Sequence, residues 1–177
     1  HWAELGNRGW SYAELLPLFK RAQHQERGPS AYHGVGGPLN VADLRQQSEI
    51  SRVFVRAAGQ AGYPLNDDFN GAEQEGIGFY QVTQKDGQRC SSARAYLQPI
   101  RQRPNLTVIT NALVTRVLFE GQRAVGVAYF NRSGQTVELR ARREVVLAGG
   151  AINSPHLLLL SGVGPRAELA RHGIPVV

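Results

Sequence analysis

The chain contains no methionine and one cysteine, Cys90. A single cysteine excludes an internal disulfide and fits a reducing compartment, so we expect a cytoplasmic protein. Cys90 lies between Arg89 and Ser91. We expect it to be a small, inert residue and not a reactive thiol. No apolar run approaches the roughly 20 residues that a membrane-spanning helix needs, so the chain reads as soluble. The first residues, H-W-A-E, form no charged-then-apolar leader. The five histidines show no ligand spacing with cysteines or carboxylates, and no metal site is expected. Lysine occurs only at Lys20 and Lys85, so the net charge of +6 comes almost wholly from arginine. The arginines are scattered. Their densest group, Arg140, Arg142 and Arg143, has no interleaved aromatics on which bases would stack, so nucleic acid is not an expected partner. The missing initiator methionine and the apolar, uncapped end Ile174-Pro-Val-Val177 lead us to expect a segment of a longer protein.

What is present changes character along the chain. Ser11-Tyr-Ala-Glu14 is a capping box, predicting a helix to about Gln23 with Leu15, Leu18, Phe19 and Ala22 inward and a bend near Ala13–Pro17. Gly28–Pro38 reads as a loop. Its Gly34-Val-Gly36-Gly37 has no preceding strand and runs into Pro38, so it is not a phosphate loop. A second helix is expected over Gln47–Ala61, capped by Ser48 and stopped by Gly62, with Ile50, Val53, Phe54, Ala57 and Ala61 as its apolar stripe. Phe79–Gln84 alternates like a strand, Lys85-Asp-Gly-Gln88 supplies a turn, and Ser91 or Ser92 caps a short third helix. From Leu106 the period is two. Leu106–Thr110, Leu113–Phe119, Ala124–Phe130 and Thr136–Ala141 are predicted strands, the last three an antiparallel meander. Pro165–His172 closes as a small helix with Leu169 inward. The expected class is α+β, with a division near Lys85–Ser92 giving residues 1–88 and 89–177.

The stretch Glu144–Pro165 holds the most chemistry. Val145, Val146 and Leu147 read as a strand buried on both faces. Ala148, Gly149, Gly150 and Ala151 follow as four small residues. Ser154 as N-cap and Pro155 at the first helical position then predict a helix through Leu160, ended by Gly162. Glycines between a buried strand and a helix let a ligand approach bare main chain. On physics alone the bend reads more readily as a tight connection than as a cofactor contact, for it is not a GxGxxG fingerprint.

The run G-A-I-N-S-P, then L-L, then S-G-V-G-P (Gly150–Pro165) resembles the second signature of the glucose–methanol–choline (GMC) family of flavin oxidoreductases. The likeness extends upstream through G-N-R-G-W-S-Y-A-E-L-L-P-L-F-K-R-A (Gly6–Ala22), Y-H-G-V-G-G-P-L (Tyr32–Leu39), D-F-N-G (Asp68–Gly71), Q-E-G-I-G-F-Y-Q (Gln74–Gln81), R-C-S-S-A-R-A-Y-L (Arg89–Leu97) and R-P-N-L-T-V (Arg103–Val108). The branch it resembles is that of choline dehydrogenase-like alcohol dehydrogenases.

The resemblance implies part of an FAD-binding α/β domain (89–177) with an inserted meander, beside a helix- and loop-rich part adjoining the substrate domain (1–88). It implies FAD as cofactor and a small-molecule alcohol as substrate, oxidised by hydride transfer to the flavin. Val114, just before T-R-V-L, matches a position that touches the adenine through its backbone. Ala148, Gly149, Gly150 and Ala151 match the turn lying close to the FAD, with Gly149 replacing the usual alanine. The GxGxxG and the ribose-binding acid of the family would precede His1, and its catalytic histidine would follow Val177. His33 and His156 are therefore expected to be structural or solvated, and no catalytic residue is assigned. The other reading is a non-catalytic module that keeps the fold.

Overall fold

The computed structural model describes residues 1–177, which form two compact units, His1–Leu106 and Thr107–Val177. The expected division at 88/89 is displaced to Leu106. The segments just after the composition shift stay in the first unit because the hairpin and the helical turn there pack on its second strand.

In the first unit, helix α1 (Tyr12–Ala22) begins at the capping box. The Ser11 N–H donates to Glu14 Oε2 (3.1 Å) and the Glu14 N–H to Ser11 Oγ (3.3 Å). Strand β1 (Gln23–Gln25) leaves the helix and pairs in parallel with β2 (Leu39–Val41). The loop between them holds Gly34 so tightly that a Cβ there would lie 1.9 Å from the Lys20 carbonyl oxygen. That glycine serves backbone contact, as the loop reading requires. Helix α2 (Glu49–Gln60) is capped by Ser48, whose hydroxyl accepts the Ser51 N–H. The hairpin β3 (Gln84–Lys85) and β4 (Gln88–Arg89) turns through Asp86 and Gly87, both at positive φ (51° and 73°), as a two-residue hairpin turn demands. A wide helical turn (Ala93–Leu97) follows, the Arg94 N–H donating to Ser91 Oγ, and then a 3₁₀ turn (Gln98–Ile100).

Three expectations fail here for one reason. Leu18 and Phe19 of α1 and Ile50, Val53 and Phe54 of α2 are exposed; the covered side of α2 carries Ser51, Val55 and Ala58 instead. The expected strand Phe79–Gln84 is reduced to a bridge at Val82 opposite Ala42 and to Gln84, the first residue of β3. Amphipathic pattern reports which face can be buried, and burial needs a partner surface that this unit does not supply.

The interior of the first unit is polar to an unusual degree. Gln25, His33 and Asn40 are buried beside Ala42 and Cys90, and no buried side-chain polar atom lacks a partner. Gln25 and Gln81 exchange hydrogen bonds (2.7 and 3.0 Å), Gln81 donates to Asp43 (2.9 Å), and Arg27 forks onto both Asp43 oxygens at 2.7 and 3.1 Å. The Arg27 hydrogen bond holds the Asp43 carboxyl below the usual aspartate range, burial opposes it, and the Gln81 hydrogen bond adds to it. Because the folded value is depressed, the stabilisation is complete above the ordinary aspartate range and is lost as pH falls through the lowered value. Arg27→Gln should therefore lower the unfolding midpoint at pH 7 by a few degrees and leave a smaller further drop on acidification. Thermal melts of both proteins between neutral pH and about pH 3 check this. Equal acid-induced drops in the two proteins would contradict it.

The second unit is a meander under a helix. Strands β5 (Leu113–Glu120), β6 (Arg123–Phe130) and β7 (Thr136–Arg140) pair antiparallel in that order, with Leu113 opposite Phe130 and Gly126 opposite Arg140. Val117, Val125 and Ala128 are buried. The β5–β6 register shifts between Val114 and Arg116, leaving Thr115 as an extra residue whose hydroxyl donates to the Ala128 carbonyl (3.1 Å). Helix α3 (Gly150–Leu160) packs on β5, and α4 (Arg166–Arg171) buries Leu169, as expected.

Leu106–Thr110 and Val145–Leu147 are not strands, for neither has a ladder partner. Val146, expected to be buried, is 76% exposed. An apolar β-branched run specifies an extended chain, and the ladder that would make it a buried strand needs neighbours outside this unit. No helix is long and apolar enough to cross a membrane.

Candidate functional site

Helix α3 starts four residues before Ser154, with Gly149 as N-cap, so Ser154 and Pro155 lie inside it. The Ser154 hydroxyl caps nothing in the first turn. It folds back to accept the Gly149 N–H at 2.9 Å and pins the bend from the helix side. The two glycines have separate roles. Gly150 sits at φ +86°, a left-handed conformation that other residues adopt at a cost, and nothing lies within 4 Å of where its Cβ would be. At Gly149 a Cβ would lie 3.1 Å from Asn153 Cβ and 3.3 Å from Ser154 Oγ, so a side chain here requires both neighbours to give by a few tenths of an ångström.

Beside the bend is a cavity of about 950 Å³. Its walls are the start of β5 (Leu113, Val114, Thr115), Phe130 of β6, the extended Val145–Gly149 and one face of α3. Of the residues singled out in the sequence, Val114, Ala148 and Gly149 share this cleft; Gly150 and Ala151 are not on its wall. Asn153, His156, Leu157 and Leu160 also line it, and sequence reasoning misses them. Their spacing from Gly149, at four, seven, eight and eleven positions, is one helical face. That face becomes visible only once the helix start moves from Ser154 to Gly149. The cleft is mainly apolar with a few polar groups, Asn153, Ser154 and His156, near the uncapped first turn of α3. That combination suits a mainly apolar ligand oriented by a few polar contacts.

His156 faces this cleft and is exposed. His33 is buried in the first unit, its Nε2 at 2.8 Å from Asp68 and its Nδ1 at 3.2 Å from Gln23, so both ring nitrogens are occupied by the fold. Tyr80 is exposed and packs on Phe69 with ring centroids 4.5 Å apart.

A family model for GMC oxidoreductases matches residues 1–176, and the chain belongs to that family. Among named relatives it is 49% identical to an alcohol dehydrogenase [acceptor] of Pseudomonas putida over 99% of this chain and 32% of that protein. It is 49% identical to a mitochondrial choline dehydrogenase of Homo sapiens, over 99% of this chain and 30% of that one. Among solved structures, pyridoxine 4-oxidase from Mesorbium loti superposes with a TM-score of 0.87 at 33% identity, covering 97% of this chain and 34% of that one. An FAD-dependent oxidoreductase from Chaetomium thermophilum gives 0.88 at 29% identity, covering 99% and 33%. The chain thus spans about a third of the length of these relatives.

Proposed function

We propose that this chain is a cofactor-walling segment of a longer FAD-dependent oxidoreductase that oxidises the CH–OH group of a small alcohol, choline-like, aliphatic or aromatic. The observation that carries the proposal is the cleft that brings Val114, Ala148 and Gly149 to one wall, in a chain matched along 1–176 by the GMC model. Relatives named as alcohol and choline dehydrogenases support the reaction class.

The residues present fit the cofactor on one structural observation: Ala148 and Gly149 of the bend open on a cavity, and nothing lies within 4 Å of a Cβ at Gly150. Val114, Ala148 and Gly149 would hold the dinucleotide against main chain, with Gly150 and Ala151 completing the bend. When bound, FAD supplies the acceptor for the hydride from the carbinol carbon. Leu113, Phe130, Leu157 and Leu160 give the cleft apolar surface on which the cofactor's rings would lie. None of the five histidines is assigned as the proton acceptor. We further propose that the second unit belongs to the FAD-binding side, that the first adjoins the substrate side, and that the protein is cytoplasmic.

The test is anaerobic flavin bleaching and artificial-acceptor reduction by the full-length protein, over choline, aliphatic and aromatic alcohols. Bleaching by at least one class is expected; none by any of the three would overturn the proposal. The 177-residue chain alone should retain little flavin, since apolar Val146 and Ile152 stand 76% and 82% exposed beside an open cleft. A flavin absorbance band in that purified chain would contradict this expectation.

A further inference from the structure

Ser161 is a buried polar residue just past the end of α3, and its hydroxyl both accepts and donates a hydrogen bond. It accepts the Val117 N–H of β5 at 2.8 Å and donates to the Leu157 carbonyl at 2.5 Å. This is the hydrogen bond that ties the end of α3 to the sheet. One of these partners is on the cleft. Leu157 is on its wall, and Val117 lies three residues past Val114, just beyond the extra residue Thr115.

Packing does not make the hydroxyl redundant. A second cavity, about 390 Å³, opens beside the clip and is lined by Val117, Val145, Leu147, Leu158 and Val163. Apolar contact along this face is non-directional, so the Ser161 hydrogen bond is what fixes where α3 rests on β5.

We propose that Ser161 is a positioning residue for the cofactor, setting the place of α3 on β5 and through it the separation of the Gly149 main chain from Val114. The inference rests on the assignment of the cleft to FAD. It identifies no contact between Ser161 and the cofactor; the effect passes through Leu157 and Val117.

The test uses the full-length protein with Ser161→Ala, Ser161→Thr and Ser161→Cys, each measured for FAD dissociation constant and for visible circular dichroism of the bound flavin. Removing the hydroxyl leaves a buried N–H without a partner, which is expected to weaken FAD about tenfold and alter the flavin dichroism. Threonine keeps the oxygen and should stay within about threefold of the parent, with its spectrum restored. If the alanine variant does not fold, the cysteine variant replaces it: weakened binding supports the clip, and parent-like binding overturns it. Parent-like affinity and dichroism in a folded alanine variant, or a threonine variant as weak as alanine, would also overturn it. Gly149→Leu, on the cleft wall itself, separates the two claims. If it abolishes FAD retention while Ser161→Ala does nothing, the clip fails alone. If neither variant alters FAD, the assignment of the cleft fails.

Discussion

Gly149→Leu is expected to weaken FAD binding by the full-length protein at least about a hundredfold, roughly 2.7 kcal/mol. On the helix side a new Cβ already meets Asn153 Cβ at 3.1 Å and Ser154 Oγ at 3.3 Å, so the rest of a leucine has no place there. It must either enter the cleft or displace the Ser154 hydroxyl that holds the Gly149 N–H. The first outcome blocks the site and the second unpins the bend that forms its wall. Gly150→Ala should do less, about 1–2 kcal/mol of backbone strain, because its Cβ meets open space. Fluorescence titration of apo-protein with FAD measures both. A Gly149→Leu variant within about threefold of the parent would remove this bend from the binding site.

The second large effect is on stability. Gly126→Ala should cost the sheet unit about 3 kcal/mol or more, because strand separation is the only relief. A Cβ at Gly126 would lie 2.3 Å from the Leu139 carbonyl oxygen and 3.1 Å from Arg140 Cα, both backbone of the neighbouring strand. Backbone cannot rotate aside as a side chain can, so β6 and β7 must part where Gly126 opposes Arg140. Urea unfolding of the two proteins reads the difference, and a loss below about 1 kcal/mol would contradict the pairing of Gly126 with Arg140.

Local signals in the sequence fare well where the information is local. The Ser11–Glu14 box, the Ser48 cap, the Asp86-Gly87 turn, the three-stranded meander and buried Leu169 are each specified by a few neighbouring residues, and each is in the structure. Elements that need a distant partner are not legible. Val145–Leu147 has the composition of a buried strand and remains an unpaired extended segment, and the stripe Ile50–Val53–Phe54 remains uncovered. The start of α3 misleads for a different reason. Ser154-Pro155 is a strong cap signal, yet the helix has already begun at a glycine that the small-residue bend places at its N-terminus. That shift of a little over one turn hides Asn153 from the site. Family likeness supplies Val114, since nothing in its own neighbourhood distinguishes it from an ordinary strand residue.

The most direct measurement is a crystal structure of the flavin-loaded full-length protein. Density for the dinucleotide along the wall formed by Val114, Ala148 and Gly149 is the predicted result. A flavin bound elsewhere, with this cleft filled by side chains from the rest of the protein, would contradict it.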